Sequence, residues 1–187
     1  MNAFIKYLDS YSRLSANSVE KLKDCIVTFE LEKNQILLRQ GQICNNLYFV
    51  EKGLLKQYYF LKDNQIIDYF ATENKIVSSI SSLFGQKPST KIIQAIESST
   101  LSAIPYLTLQ KLFSDYPDIE RVGRLIAIEA FILMEERLFS LQFHSAKMRY
   151  DHLLQNNPDI LQRVPLGDIA SYLGITQVTL SRIRSQR

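Results

Sequence analysis

The feature that most constrains this chain is a change of hydrophobic period that happens twice. From Phe29 to about Ile104 the apolar residues come in short runs rich in Ile, Val, Tyr and Phe, at 36–38, 47–50, 54–61, 65–70, 92–96 and 101–104. Polar or glycine breaks separate them, among them Gly41-Gln42, Asn45-Asn46, Lys52-Gly53, Lys62-Asp63-Asn64 and Gln86-Lys87-Pro88-Ser89. Many short strands at this spacing predict a β-sandwich or roll, with one short helical turn over 78–84 inside it. On both sides the period is helical. Asn17, with Glu20 three residues on, resembles a capping box for a helix over 15–26 whose Val19, Leu22 and Ile26 share a face. A helix over 108–116 stops at Pro117, which can also occupy the first turn of the next one.

That next helix, about 118–143, is the longest in the chain. Ile119, Val122, Ile126 and Leu133 form one apolar stripe, and Leu125, Ile128, Ile132 and Phe139 form another beside it. An arc this wide has two surfaces to cover. One suits the chain's own β domain and the other a second copy, with Val122, Leu125, Ile126, Glu129, Ile132 and Leu133 as candidate interface residues. Glu129 and Glu136 interrupt a clean heptad seam, and burial wholly within one chain stays open as the alternative. A further helix over 145–156 is closed by Asn156-Asn157-Pro158, and a short turn follows at 159–162.

Composition excludes several classes. With 46% hydrophobic and 11% aromatic residues the chain is not disordered. Its first residues lack a secretory signal, and no run approaches the ~20 apolar residues of a membrane span, so a cytoplasmic protein without membrane contact is expected. Cys25 and Cys44 have no metal-ligand spacing, and two thiols cannot supply the four of an iron–sulfur cubane. His144 and His152 stand alone, so no metal site is expected. No nucleophile–base arrangement or phosphate-binding glycine loop invites a catalytic reading. The charge is informative once divided. Of 22 Lys and Arg and 19 Asp and Glu, six basic and three acidic residues follow Ser145, so the whole excess of +3 sits at the C-terminal end. Arg182, Arg184 and Arg187 have no acid near them in sequence, an asymmetry that suggests a polyanion partner.

The stretch from Leu166 to Ile183 has the spacing of a helix-turn-helix. Ile169 and Leu173 form an i,i+4 apolar pair, and the small Ala170 lets a second helix cross closely. Gly174 supplies the positive φ that ends the first helix. Ile175 plugs the corner, Thr176 can N-cap the second helix, and Leu180 with Ile183 gives it an inward face. The outward face carries Gln177, Val178, Ser181 and Arg182, then Arg184. Polar donors at a helix N-terminus followed by arginines suit a helix laid in a major groove, so Thr176, Gln177, Val178, Thr179, Ser181, Arg182 and Arg184 are the candidate DNA contacts.

Two motifs carry a wider resemblance: Asp168-Ile-Ala-Ser-Tyr-Leu-Gly-Ile-Thr followed by Thr179-Leu-Ser-Arg-Ile-Arg, and Leu38-Arg-Gln-Gly-Gln with Leu47-Tyr-Phe-Val-Glu-Lys-Gly53. Over nearly its whole length the chain resembles the Crp–Fnr family of transcription regulators. The resemblance implies an α+β protein in three parts: a double-stranded β-helix, jelly-roll-like sensor domain over 1–116, a long dimerisation helix over 117–144, and an all-α helix-turn-helix domain over 145–187. It implies a homodimer that reads a two-fold-related site in double-stranded DNA, with RNA polymerase as a further candidate partner. The family's base-reading positions fall on Gln177, Val178 and Arg182. Only the arginine matches the family's usual choice, so the target should differ; Val178 can touch a thymine methyl but cannot accept from cytosine. The chain stops at Arg187 without the wing strands that often follow, which implies modest affinity.

The sensor half departs from the family's cyclic-nucleotide members. Where those carry Phe-Gly-Glu, this chain reads Lys75-Ile76-Val77-Ser78-Ser79, and where they carry Arg-Ser or Arg-Thr it reads Ser89-Thr90. A buried cyclic phosphate without its cation would lose a bond of ~1.5–3 kcal/mol. Cyclic AMP is therefore not expected as a ligand. Val77, Ser78, Ser79, Ser89 and Thr90 remain candidates for the pocket of some other small-molecule effector, and no cofactor is certain. Lys75, Lys87 and Lys91 read as solvated lysines or as an anion site. The alternative to a DNA-reading regulator is a ligand-binding or protein-interaction module with a degenerate cyclic-nucleotide-binding fold.

Overall fold

The computed structural model describes residues 2–185; Arg187 of the basic terminus lies outside them. Helix α1 (Ala3–Tyr11) opens the chain. The Asn2 side chain accepts from the Phe4 and Ile5 amides and caps it, and Phe4, Ile5 and Leu8 are buried on one side. Helix α2 (Ala16–Cys25) is capped by Ser15, whose hydroxyl accepts from the Ser18 amide. The expected cap at Asn17 is thus corrected by two residues. Ser15 is favoured because its own amide, and the Ser18 hydroxyl, donate to Asp118 a hundred residues away.

Eight strands follow: β1 (Val27–Leu31), β2 (Ile36–Leu38), β3 (Asn46–Lys52), β4 (Leu55–Leu61), β5 (Asn64–Ala71), β6 (Ile76–Val77), β7 (Ile92–Ala95) and β8 (Ser99–Pro105), with a short helix α3 (Ile80–Gly85) after β6. They form two antiparallel four-stranded sheets, ordered β1-β8-β3-β6 and β2-β7-β4-β5. This is a jelly-roll-like sandwich. Inward residues alternate along each strand, so Leu31, Leu38, Val50, Leu55, Ile93 and Leu101 meet between the sheets. Gly53 turns β3 into β4 at φ +100°, and a Cβ there would lie 2.7 Å from the Ser99 Cα, so only glycine fits.

A second core lies where Phe4, Leu22, Phe49, Leu109, Leu112 and Val122 pack together. It joins α1 and α2 to the outer face of β3, to α4 (Tyr106–Asp115) and to the start of α5 (Pro117–Phe143), with the Phe4 and Phe49 rings stacked at 4.7 Å. Pro117 sits in the first turn of α5, where its missing N–H is no loss. Then come α6 (Ala146–Asn156), capped by the Ser145 hydroxyl, α7 (Ile160–Arg163), α8 (Leu166–Leu173) and α9 (Gln177–Ser185).

The third core crosses the division expected at residue 145. Tyr150, Ile160, Ile169, Leu173 and Leu180 of the terminal helices pack in one cluster with Leu54 and Ile96 of the sandwich, and Phe70 adds its half-buried ring. Among the described residues no helix is long and apolar enough to cross a membrane, and no three His, Cys, Asp or Glu side chains are arranged to hold a metal ion.

Candidate nucleic-acid interface

Helix α8 ends at Gly174, whose φ of +65° is the left-handed conformation the turn requires. The Ile175 amide returns to the Ala170 carbonyl at 3.0 Å, closing the helix end. Ile175 packs half-buried on the third core. The Thr176 hydroxyl then accepts from the Thr179 amide at 3.1 Å and caps α9. Leu180 and Ile183 are buried against α8 and its neighbours. Two short helices are thereby fixed at a tight corner, as the spacing of the sequence predicts.

The outward face of α9 is open. Gln177, Val178, Ser181, Arg182 and Arg184 are all exposed, Val178 to 69%. Thr179 is half-buried and its hydroxyl faces that of Thr176 at 2.9 Å, so it belongs to the cap as much as to the surface. The Gln177 amide lies back over Gly167, so close that a Cβ there would sit 2.7 Å from its nitrogen. That glycine leaves room for the side chain to rest against α8.

Charged and polar groups fasten the rest of the unit to the sandwich. Arg163 donates to both carboxylate oxygens of Glu73 at 2.8 and 3.0 Å, to Glu97 at 2.6 Å and to Asp159 at 3.1 Å. Those bonds hold the Glu73 carboxyl below the usual carboxylate range. Asp168 pairs with Lys56 at 2.8 Å and accepts from Gln65 at 3.2 Å. Ser171 serves the open edge of β5, accepting from the Ile67 amide and donating to the Gln65 carbonyl. Arg137 of α5 donates to the Tyr172 carbonyl, and Arg149 of α6 to that of Leu173. None of these anchors stood out in the sequence.

The candidate effector residues are placed differently from one another. Val77 is part of the core between the sheets. Ser78, Ser79 and Ser89 are buried together, and Thr90 is exposed. Ser78 accepts from the Tyr48 amide at 3.1 Å, and its Oγ lies 2.6 Å from the Val77 carbonyl. Ser89 donates to the Ser79 hydroxyl at 2.9 Å and accepts from the Lys91 amide at 3.0 Å. The serines thus bond to the protein itself. Lys75 and Lys87 are exposed, and the Lys91 ammonium is paired with Asp68.

The candidate dimer residues also divide. Val122 is buried in the chain's own second core, so it is unavailable to a partner, because α1 and α4 close over the start of α5. Glu129 accepts a hydrogen bond from the Tyr11 hydroxyl, which accounts for a carboxylate in the stripe. Leu125 and Ile126 are half-buried, while Ile132 and Leu133 are exposed to 47% and 51%. Beyond them Phe131, Met134, Leu138 and Phe143 are exposed too, a wider apolar surface than the two stripes indicated.

Residues 28–116 match the cyclic nucleotide-binding domain family. The anaerobic regulatory protein of Pasteurella multocida is 28% identical over 166 residues, covering 82% of this chain and 60% of that one. The fumarate and nitrate reduction regulatory protein of Escherichia coli K12 is 28% identical over 168 residues, with 82% and 65% covered. The chain is similar to these regulatory proteins over 82% of its length. Solved structures with a similar fold include FixK2 from Bradyrhizobium japonicum, at 22% identity and a TM-score of 0.69 with 86% of this chain and 83% of that one covered. The c-di-GMP responsive global regulator CLP of Xanthomonas campestris superposes with the same TM-score at 17% identity, covering 92% and 91%. This chain spans less than two-thirds of the length of the two regulatory proteins first named.

Proposed function

We propose that this chain is a cytoplasmic transcription regulator of the Crp–Fnr family that binds double-stranded DNA as a homodimer, one α9 helix per subunit entering the major groove of a two-fold-related site. The observation that carries the reading is the outer face of α9. Its N-terminus is capped, its inner face is locked into a core, and its reading positions Gln177, Val178 and Arg182 stand exposed. The names of the relatives, all regulatory proteins, support it. The exposed apolar half of α5 supports a second copy along that helix, since an apolar patch of this extent on a monomer would be a liability in water. Arg182 is the residue expected to take a guanine bidentately, and Val178 favours a thymine methyl at the neighbouring position.

The sensor reading follows from the serine cluster. Its hydroxyls are engaged within the protein, and the ammonium of neighbouring Lys91 is paired with Asp68 instead of being free for a cyclic phosphate. Cyclic AMP is therefore not the effector.

The test is selection of bound duplexes from a random library by the purified chain at moderate salt, followed by sequencing. The expected result is an enriched inverted repeat with half-sites about one helical turn apart. Binding that is steeply salt-dependent but without sequence preference would overturn the proposal in favour of incidental polyanion binding.

A further inference from the structure

We infer that Arg137 and Arg149 are positioning residues for DNA reading: together they grip the C-terminal end of α8 and fix the angle at which α9 is presented. The inference rests on the proposed DNA-reading function and names two residues that position its reading helix.

A helix leaves its last carbonyls without intrahelical partners, and cations at that end are favoured by the helix dipole. In α8 the Tyr172 carbonyl accepts from Arg137 at 2.9 Å and the Leu173 carbonyl accepts from Arg149 at 2.9 Å. These are the two residues just before the glycine turn. Each arginine is itself held at a second point. The Arg137 guanidinium lies 3.9 Å from the centre of the Tyr172 ring, and Arg149 also donates to the His144 carbonyl, at the C-cap of α5, at 2.6 Å. Two-point contacts of this kind use the planar fork of arginine, which lysine lacks.

A third contact lies between these two. Leu141 packs against the turn, 3.7 Å from where a Cβ on Gly174 would be. Arg137 and Leu141 are four residues apart, so one face of the last turns of α5 is committed to the helix-turn-helix corner. The opposite face carries Ile128, Ile132 and Phe139, all about half exposed. One helix thus holds the reading unit on one side and offers an apolar side to a second copy on the other. The two arginines thus fix the α8–α9 corner against α5 and α6, and base reading is sensitive to shifts of about half an ångström.

The experiment uses the full chain with two probes: the duplex selected by the wild type and a scrambled duplex of the same length. For the double variant Arg137→Gln/Arg149→Gln the expected result is a fall of about tenfold in the ratio of selected-site to scrambled-site affinity, with scrambled-site affinity and its salt slope unchanged. A salt slope that drops by about one per arginine would make them phosphate contacts and overturn the inference. An unchanged ratio overturns it as well. Should the double variant melt early, the charge-keeping Arg137→Lys and Arg149→Lys variants carry the test; each is expected to lower the ratio, and full retention by both overturns the two-point grip. A wild type that selects no duplex removes the DNA reading and this inference together, whereas a selective wild type with indifferent variants removes this inference alone.

Discussion

Helices α8 and α9 are eight and nine residues long and three residues apart, yet their polar side chains end in opposite situations. On α8, Asp168 is held by Lys56 and Gln65, Ser171 is bonded to the β5 edge, and the Tyr172 ring lies between Phe70 and Arg137. On α9, among the described residues, the side chains of Gln177, Ser181 and Arg182 make no hydrogen bond or ion pair within the chain. Composition does not separate the two helices; what their polar groups meet does. A helix whose polar groups are satisfied internally is an anchor. One whose polar groups face water can exchange that water for a ligand without breaking a bond inside the protein. The contrast makes α8 the anchor and is what the proposed function requires of α9 as the reader.

The anchor is tested most severely through its core. Leu54 is fully buried among residues of the terminal helices although it belongs to the sandwich. Leu54→Ala should cost about 2–5 kcal/mol, as for other large-to-small core changes. Urea unfolding followed by far-UV circular dichroism and by DNA binding should show one coincident transition, shifted as a whole. Two separated transitions would mean that the helix-turn-helix unit is stable without the sandwich, and the comparison would lose its anchor.

Arg163 comes next. Arg163→Ala leaves Glu73 and Glu97 facing each other without their cation. Both glutamates are more than a third exposed, so the loss should be about 1–3 kcal/mol, below that of a fully buried pair. The pH dependence has a fixed sign. Glu73 is held below its ordinary value by the bonds from Arg163, so its contribution is fully present above the unfolded carboxylate value of about 4.3 and is lost as the pH falls through the lowered one. The gap in stability between wild type and variant should therefore be widest near neutrality and narrow below about pH 4. A gap that stays constant across that range would show that the Glu73 pair does not stabilise the fold.

Much of this contrast is legible in the sequence, and the part that is not has a physical reason. Gly174 and Thr176 are read correctly because a positive φ and an N-cap are local demands that few residue types meet. The strand runs are legible for the same reason, through alternation and turn residues. Helix α1 is missed although Phe4, Ile5 and Leu8 mark its face, since nine residues give a short periodic signal. The cap of α2 is misplaced because Ser15 wins through a contact with Asp118 far along the chain. Arg137 and Arg149 are invisible: their partners are backbone carbonyls, which every residue has. The serine cluster is half legible. The missing charges can be read, whereas the bonds among the serines depend on β6, α3 and β7 coming together.

On the reading side, Arg182→Ala should weaken binding to the selected duplex by about 1–3 kcal/mol and relax preference at one base position. Ser171→Ala, on the anchor, should leave the selected sequence unchanged. Repeating the selection with each variant checks both. A variant at Ser171 that selects a different sequence would erase the division of labour between the helices.

The smallest effect belongs to the corner that joins them. Gly174 has φ of +65°, and a Cβ added there would meet only Leu141, at an ordinary contact distance of 3.7 Å. Space is therefore not at issue, and Gly174→Ala should cost only the left-handed backbone penalty of about 1–2 kcal/mol. Gly174→Asn should cost less, because asparagine tolerates that conformation. If the turn merely ends α8, both variants will lose stability in urea in that order and still select the wild-type duplex. A changed selection in either would show that the turn sets the crossing of α9 on α8, and the boundary between anchor and reader would then run through Gly174 itself.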